Sequence, residues 1–479
     1  MTAHDTPSRD TPSQTAAARD ALTTTTGTHV RPLHVVRRDG LDAFRAAQQP
    51  AIGQWLDAQT FAAGAGSLVL LPGSGGDGAF GIAGAVIGVP DLHDPFAWSH
   101  APFALPPGDW RIEGTLDDAA QRALQLGWGL GAYRYTRYKA APRAPARLVV
   151  DAIDAETADI LDACCRVRDL VNTPTEHMGP QELEHAVREL AQAHGAQVEA
   201  TEGDGLLEAN FPAIHAVGRA SHRAPRLLAL RWNHARTDAP HVVLVGKGVC
   251  FDTGGLDIKA AAGMRNMKKD MGGAAHAIAL AGLLMARALP LRLTLLVPAV
   301  ENAIGPNAFR PGEVIATRKG VSVEIDNTDA EGRVVLCDAL TYAGELAPDL
   351  VLDFATLTGA ARVALGPELP ALYANDDALA NDWLAAGTRE RDPLWRMPLW
   401  PPYLRYLTSN IADIANASNT AMAGSITAAL YLQRFVPADL KWAHLDVYSW
   451  NDSDRAGHPS GGEAQGLRAA YGMLKTRCA

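Results

Sequence analysis

Cysteine is scarce in this sequence. Only five of the 479 residues are cysteines, namely Cys164, Cys165, Cys250, Cys337 and Cys478. No two of them form a CxxC pair, and none has the spacing of a zinc ribbon. An odd, sparse set in a long chain is typical of reduced thiols in a reducing compartment. We therefore expect no structural disulfide.

Long apolar runs are absent as well. No window approaches the ~18–20 apolar residues of a membrane-spanning helix. The N-terminal segment also lacks the apolar core of a secretory signal. Its Ser/Thr/Ala-rich composition would suit a transit peptide, but Asp5, Asp10 and Asp20 argue against one. We expect a cytoplasmic protein without a membrane partner.

Positive charge is in deficit. The chain has 43 Lys and Arg against 53 Asp and Glu, which gives a formal net charge of -10 and a pI of about 5.8. Such a chain repels a polyphosphate on average, so we expect no nucleic-acid partner. The short basic stretches at 37–39 and 166–169 are interpreted as surface charge.

The length predicts two or three domains, at ~100–200 residues each. Residues 1–28 are rich in Thr, Ser and Ala and cannot bury enough apolar surface to offset the entropy of ordering, so they are predicted to be a disordered tail. Short strands and helices predict a small α/β domain over 29–145. A linker helix region follows over 146–180, and the larger domain covers 181–479.

The second half of the chain alternates continuous apolar strands with helical patterns. This alternation predicts an α/β fold with a mixed, largely parallel sheet sandwiched by helices. The predicted strands are 226–232, 241–249, 291–300, 321–327, 350–357 and 441–449, and the predicted helices are 273–288, 333–346, 376–388 and 424–436.

Acidic side chains accompany three of these segments. Asp252 follows the strand that carries Lys247, Asp329 and Glu331 follow the strand 321–327, and Asp270 comes just before a predicted helix. Ligands of such sheets bind outside the carboxyl ends of the strands, so we expect four carboxylates at one edge of one sheet. Four like charges in a partly buried crevice repel one another or take up protons. Two divalent cations would cancel that charge, and oxygen-rich ligation suits Zn, Mn or Mg.

Each of these residues also has a structural interpretation when it is taken singly. Asp270 suits a helix N-cap, Asp329 suits the end of a strand, and Asp252 suits a turn. Lys259 could be a solvated surface charge and Arg333 a salt-bridge partner. Their joint placement at the ends of strands favours the metal site.

Two segments carry a specific resemblance. VGKGVCFDTGGLDIKAAAGMRNMKKDMGGAAHA (245–277) and NTDAEGRVVLCDAL (327–340) resemble the signature regions of the leucyl aminopeptidase family, the M17 metallopeptidases. The resemblance runs from about 166 to 470, whereas 30–140 is matched only by position to a variable N-terminal domain. Val334 stands where this family usually has Leu. Further similar segments, in the same order, are VNTPTEHMGP (171–180), DFATLTGAARVALG (353–366), DPLWRMPLWPPY (392–403), AGSITAALYLQRFV (423–436) and WAHLDV (442–447).

The resemblance implies a metallo-aminopeptidase with two divalent metal ions per subunit, Zn or Mn, with Mg as the alternative. By motif position, Lys247, Asp252, Asp270 and Glu331 would hold one ion, and Asp252, Asp329 and Glu331 would hold the other. Lysine ligates a metal only as the neutral amine, and its usual pKa is about 10.4. Two neighbouring cations would have to lower that pKa. Arginine could not replace this lysine, because it stays protonated.

The resemblance also implies roles in catalysis and in substrate binding. Lys259 would stabilise the negative charge of the tetrahedral intermediate, and Arg333 would hold a bicarbonate that serves as general base. A mostly apolar pocket would favour Leu or Met as the first residue, and a main-chain carbonyl would accept a substrate N–H. The substrate-binding residues would be Met267, Thr356, Leu357 and Gly359.

The same resemblance suggests a homohexamer that acts on short peptides. Two alternatives stay open, a dipeptidase role such as Cys-Gly cleavage and an additional DNA-binding regulatory role. The acidic balance of the chain weighs against the second. The chemistry needs no histidine, so His276 is expected to be structural or to support the ligands.

Overall fold

The computed structural model describes residues 18–25, 27, 29–74 and 80–478. The chain divides into two compact units. The first comprises the described residues up to Cys165 together with Asp452–Ser460, and the second comprises Arg166–Asn451 and the described residues from Gly461 onward.

The first unit is built on a six-stranded sheet. Its strands and helices are β1 (Leu22–Thr23), β2 (Val30–Val36), β3 (Leu68–Ser74), β4 (Phe80–Gly88), β5 (Asp109–Glu113), β6 (Arg147–Val149), α1 (Leu41–Ala47), α2 (Pro50–Ala58), α3 (Ala101–Ala104) and α4 (Asp118–Ala132). The strand order is β1-β6-β5-β2-β4-β3, and every pair is parallel except β3 with β4. Trp98, Trp110 and Trp128 are fully buried in its core. The prediction of a small α/β domain is confirmed.

Strand β1 lies inside the segment predicted to be a disordered tail. Residues 1–17 of that tail lie outside the described residues. Leu22 and Thr23, however, pair in parallel with Leu148 and Val149 of β6, and Leu22 is buried. The prediction is therefore wrong for Leu22–Thr23. The partner strand comes more than a hundred residues later, so the composition of the segment itself could not reveal the pairing.

The second unit is built on a nine-stranded sheet and also contains strands that lie outside that sheet. Its strands are β7 (Gln197–Glu202), β8 (Arg226–Trp232), β9 (His241–Gly246), β10 (Gly248–Asp252), β11 (Arg292–Asn302), β12 (Val314–Ile315), β13 (Val323–Glu324), β14 (Leu350–Ala355), β15 (Ala371–Ala374), β16 (Trp395–Arg396), β17 (Ile414–Ala415), β18 (Trp442–Asp446), β19 (Trp450–Asn451) and β20 (Gly461–Gly462). The order in the large sheet is β16-β15-β18-β14-β9-β11-β8-β7, with β10 beside β11. The central strands β18, β14, β9 and β11 are parallel, and antiparallel strands flank them. The mixed, largely parallel sheet is thus confirmed.

Helices pack on both faces of this sheet. The helices from Ala155 onward are α5 (Ala155–Asn172), which spans the boundary between the units, α6 (Pro180–His194), α7 (Gly205–Glu208), α8 (Pro212–Gly218), α9 (Ala261–Met264), α10 (Gly272–Ala286), α11 (Glu331–Glu345), α12 (Gly359–Leu365), α13 (Asp377–Arg389), α14 (Gly424–Gln433) and α15 (Leu467–Arg477). Alternate residues of a strand point to opposite faces. Val243 of β9 packs in the same core cluster as Val334 of α11, whereas a Cβ at Gly246 would strike Ala274 of α10. Among the described residues, no helix has the length and apolar character to cross a membrane.

One predicted strand belongs elsewhere. The segment 321–327 was expected in the large sheet, but only Val323–Glu324 is extended, and it pairs with β12 and β17 in a separate three-stranded sheet. Apolar residues alternate in this segment because Val323 and Ile325 are buried in the core. Such an alternation does not indicate which sheet the segment joins. The acids that follow it therefore reach the large sheet by another route.

Candidate active site

Five polar residues meet where the central strands of the large sheet end. Lys247 lies between β9 and β10, and Asp252 is the last residue of β10. Asp270 belongs to a single 3₁₀ turn, Met267–Met271, that leads into α10. Asp329 and Glu331 stand at the start of α11 rather than at the end of a main-sheet strand. All five line one cavity of about 430 Å³.

Two glycines let these segments approach closely. A Cβ at Gly332 would lie 2.5 Å from Cε of Lys247. Gly254 has a φ of +85°, which side chains rarely adopt, and its Cβ would lie 3.1 Å from Oδ1 of Asp329. Glycine at these two positions follows from the crowding of the site and from the turn after β10.

Each of two lysines contacts two of the four acids. The Lys247 ammonium lies 2.8 Å from Oδ2 of Asp270 and 2.9 Å from Oε1 of Glu331. The Lys259 ammonium lies 2.8 Å from Oδ2 of Asp252 and also contacts Oδ1 of Asp329. Four carboxylates thus face two ammonium groups, and the cluster keeps an excess of negative charge.

This excess is visible in the pKa values. Burial, with the charge of Asp252 added, raises the pKa of Asp329 to about 6 in spite of Lys259. Burial and the same neighbour raise the pKa of Glu331 well above its usual value. Burial alone would lower the pKa of Lys247, but the charges of Asp270 and Glu331 outweigh burial and raise it. A cation beside Lys247 would lower the pKa of its amine, whereas these carboxylates raise it.

The cluster fits divalent metal ions. Asp252, Asp329 and Glu331 each offer a carboxylate oxygen, and these three oxygens lie within 4.8 Å of one another. Oδ2 of Asp270 and Oε1 of Glu331 are buried against the Lys247 ammonium, whereas the buried Oε2 of Glu331 accepts no hydrogen bond from any described residue. A buried oxygen such as Oε2 is costly unless a cation or a donor satisfies it. The donor set, oxygens with one amine, suits Zn or Mn.

Asn302 orients the cluster, although it was not among the predicted site residues. Its Nδ2 donates to Oδ1 of Asp252 at 2.8 Å and to the carbonyl of Thr328 at 3.0 Å. The Gly254 N–H donates to the same Asp252 oxygen at 2.9 Å. These bonds fix one oxygen of Asp252 and leave the other for Lys259 or a ligand. The signal for Asn302 is its place two residues after the predicted strand 291–300.

Arg333 faces a neighbouring cavity instead of the main one. This second cavity shares Asp329, Leu357 and Gly359 with the first. The Arg333 side chain is buried, and its Nη1 donates to the carbonyl of Asn416 at 2.8 Å. Its Nε is buried and has no hydrogen-bond partner among the described residues. A buried guanidinium N–H without a partner suits a small anion as its acceptor.

The predicted substrate residues all line the main cavity, namely Met267, Thr356, Leu357 and Gly359. Oγ1 of Thr356 donates to Oδ1 of Asp270 at 2.8 Å, so this side chain also holds a member of the acidic cluster. The expectation of a mostly apolar pocket does not describe the whole cavity. Three residues that the sequence argument did not single out, Lys269, Arg362 and Tyr448, line it too.

His276 has a structural place. Its Nδ1 lies 2.7 Å from the carbonyl of Gly272, and its Nε2 accepts from the backbone N–H of Gln465 at 2.9 Å. Burial lowers the pKa of His276. Both ring nitrogens are thus occupied by backbone groups, as expected for a histidine that takes no part in the chemistry.

Comparisons with known proteins match both parts of the chain to one enzyme family. The family model of the cytosol aminopeptidase family, catalytic domain, matches residues 165–471, and that of the M17 aminopeptidase N-terminal domain matches 31–151. A probable cytosol aminopeptidase of Syntrophotalea carbinolica is 38% identical over 397 residues, 79% of this chain and 78% of that protein. Another, from Acidovorax sp. (strain JS42), is 44% identical over 338 residues, 69% of this chain and 67% of that protein.

Two solved structures are similar along nearly the whole chain. The cytosol aminopeptidase from Coxiella burnetii is 46% identical, with a TM-score of 0.91 over 96% of this chain and 100% of that one. The bottromycin maturation enzyme BotP in complex with Mn is 34% identical, with a TM-score of 0.83 over 95% of this chain and 100% of that one.

Proposed function

Because the chain belongs to the cytosol aminopeptidase family (M17) and is thereby a metallo-aminopeptidase that hydrolyses the N-terminal residue of peptides, we propose that it holds two divalent metal ions for this reaction. Lys247, Asp252, Asp270 and Glu331 would hold one ion, and Asp252, Asp329 and Glu331 the other. The observation that carries this proposal is the set of three carboxylate oxygens within 4.8 Å of one another. Zn or Mn is the expected metal, with Mg as the alternative.

Two metal ions held at this cluster would supply a Lewis acid and would lower the pKa of a bound water. Lys259 is the side chain that meets the charge developed on the substrate. Its ammonium is held at the mouth of the cluster by Asp252 and Asp329, and its side chain is 15% exposed. Lys259 can therefore donate to a carbonyl oxygen that becomes negative as water attacks the peptide carbon.

Arg333 is the proposed holder of a bicarbonate that serves as general base. Its guanidinium is fixed by Asn416 through Nη1 and keeps a buried Nε free for an acceptor. Burial lowers the pKa of this guanidinium, yet arginine stays charged in proteins. A planar fork with a free N–H suits a planar anion such as bicarbonate.

Only the first residue of a peptide would be removed, because the site requires a neutral α-amine beside the metal-binding residues. Met267, Thr356 and Gly359 line the cavity where the first side chain would lie, and the Leu357 carbonyl would accept a substrate N–H. Leu or Met fits the apolar part of this pocket. Cleavage of dipeptides such as Cys-Gly is the alternative substrate range, and a DNA-binding regulatory role is the alternative of another class.

The expected setting is a cytoplasmic homohexamer that acts on short peptides. Light scattering under assay conditions tests the assembly, and a monomer at full activity contradicts it. A gel shift with DNA duplexes across salt concentrations tests the regulatory alternative. Binding that weakens steeply with salt would support that alternative.

The decisive experiment pairs metal analysis with hydrolysis of leucyl p-nitroanilide. The wild type should retain about two divalent ions per chain, and Asp329→Ala should lose both bound metal and turnover. The matched control is Asp439→Asn, since Asp439 is exposed and stands just before β18, at the opposite end of that strand from Asp446. Wild-type turnover by Asp329→Ala would refute the proposed site.

A further inference from the structure

Two cationic side chains share one aromatic ring in the wall of the main cavity. Nζ of Lys269 lies 4.9 Å from the centre of the Tyr448 ring, and Cζ of Arg362 lies 4.8 Å from the same centre. The three residues line the cavity that also contains Met267 and Thr356. The cavity therefore has a basic part in addition to the acidic cluster.

Neither of these two cations is paired with a carboxylate in the part of the chain that the structure describes. Lys269 is 7% exposed. Neither its ammonium nor the Arg362 guanidinium forms an ion pair or a hydrogen bond with any residue that the structure describes, in contrast to Lys247 and Lys259, which both contact carboxylates. A buried charge without a partner is expensive, and two like charges side by side add to the cost. An anion from outside the chain would offset that cost.

Asp446 is the carboxylate of the cavity that could have served as an internal partner. Its Oδ1 accepts from the backbone N–H groups of Leu357 and Thr358 at 2.9 and 3.2 Å, and its Oδ2 accepts from Oγ1 of Thr358 at 2.7 Å. Both oxygens are thus committed to the loop after β14. Asp446 forms no ion pair with Lys269 or Arg362 among the described contacts.

We propose that Lys269 and Arg362 bind the side-chain carboxylate of the substrate's first residue, so that the enzyme prefers peptides that begin with Glu or Asp. This inference rests on the proposed function, because it names the substrate class of the same site. Met267 and Lys269 belong to one 3₁₀ turn, so the apolar wall and the cationic group come from the same short segment. The methylene groups of an acidic side chain would contact that wall, as those of Leu or Met would.

A carboxylate could also come from the C-terminus of a dipeptide. The side-chain source is favoured because the residues expected around the first side chain, Met267, Thr356 and Gly359, line the same cavity as the two cations. The test must therefore separate the two sources. Glutamyl and glutaminyl p-nitroanilides do this, since they have no C-terminal carboxylate and differ only in the charge of the side chain.

The first measurement is kcat/KM of the metal-loaded enzyme for the glutamyl, glutaminyl, leucyl and methionyl anilides. We expect the glutamyl value to exceed the glutaminyl value by roughly 10- to 100-fold, the range of charge-assisted hydrogen bonds. Arg362→Met should bring this ratio down to within a few-fold, and Arg362→Glu should favour lysyl over glutaminyl anilide. Arg188→Met removes a guanidinium from the exposed face of α6 and should keep the wild-type ratio.

The second measurement does not depend on turnover. Calorimetric titration should show free glutamate binding at least ten times more tightly than free glutamine, and Arg362→Met should remove the difference. If a variant fails to fold, the ratio of glutamate to glutamine affinity of the wild type alone still tests the inference.

Two outcomes would overturn the inference and leave the proposed function standing. One is good leucyl turnover with equal glutamyl and glutaminyl values. The other is a preference for Leu-Gly over Leu-Gly-amide that Arg362→Met abolishes, without any glutamyl preference, since this assigns the cations to the C-terminal carboxylate. Failure to hydrolyse every substrate would refute the proposed function and the inference together.

Discussion

Gly332 and Lys247 are matched in space. Gly332 lies in the first turn of α11, and a Cβ on it would lie 2.5 Å from Cε and 2.6 Å from Nζ of Lys247. The Lys247 ammonium reaches Asp270 and Glu331 only because residue 332 has no side chain. Glycine stabilises a helix less than almost any other residue does. Its presence at position 332 is therefore explained by the geometry of the site.

The first prediction concerns this contact. Gly332→Ala should move the Lys247 side chain off Asp270 and Glu331, because the end of a lysine yields more readily than the helix backbone. Bound metal and leucyl turnover should fall by on the order of 10- to 100-fold, the usual effect of disturbing the surroundings of a metal ligand. Metal analysis and kcat/KM measure the loss.

Gly53→Ala is the matched control for this change. Gly53 also lies in a helix, α2, and a Cβ there would meet nothing within 4 Å. Both variants gain the helix propensity of alanine, about 1 kcal/mol. Equal metal content in the two variants would show that Lys247 does not depend on the space at Gly332.

The second prediction tests the proposed ligand role of Lys247. Lys247→Arg keeps the positive charge near Asp270 and Glu331, but arginine stays protonated and cannot donate a lone pair to a metal. We expect the metal content to fall from about two ions per chain toward one and turnover to fall by at least about 100-fold. Lys441→Arg, at an exposed lysine just before β18, should leave both values unchanged. Full metal content in Lys247→Arg would rule out ligation by Lys247.

Much of the fold could be predicted because its central strands are continuous apolar runs. β8 coincides with the predicted segment 226–232, and helices α10 and α11 begin within two residues of their predicted starts. The strand expected at 321–327 failed, because burial of alternate side chains does not tell which sheet a segment joins. Asp329 still reached the cluster, since the helix α11 that follows it packs on β9 and β11.

The candidate site was predictable only in part. Lys247, Asp252 and Asp270 flank glycine-rich turns next to strong strand or helix patterns, which is a local signal. Lys269 and Arg362 carry no such signal, because a lysine or arginine in a sequence is ordinarily a solvated charge. Their meeting at Tyr448 depends on three segments that are far apart in the chain.

The third prediction concerns Asn302. Asn302→Ala removes the donor that fixes Oδ1 of Asp252, so Asp252 should hold metal less well. Loss of such an orienting partner typically weakens metal binding by about 10- to 100-fold. Dialysis against graded chelator concentrations, followed by metal analysis, measures the shift. Asn381→Ala, at an exposed position of α13, is the control, and equal retention by the two variants would contradict the orienting role.

The fourth prediction concerns the pH dependence of stability. Burial, with smaller contributions from His234 and Arg292, lowers the pKa of His241 to about 4, although Asp349 acts in the opposite sense. The unfolded chain has a histidine pKa of about 6.5 and so binds more protons than the folded chain between pH 6.5 and 4. Stability should therefore fall as the pH drops through this window, by at most about 1.4 kcal/mol per pH unit from this residue.

His241→Gln isolates this effect. The ring of His241 lies 2.9 Å through Nε2 from Oγ1 of Thr294, and a glutamine amide can keep that hydrogen bond without titrating. The Tm of the variant should decline less steeply than that of the wild type between pH 7 and 5 in scanning calorimetry. His185→Gln, at an exposed histidine of α6, should follow the wild-type slope. Identical slopes of Tm against pH for the wild type and His241→Gln would mean that the buried imidazole does not resist protonation. Burial at the start of β9 would then be less complete than the packing around Thr294 indicates.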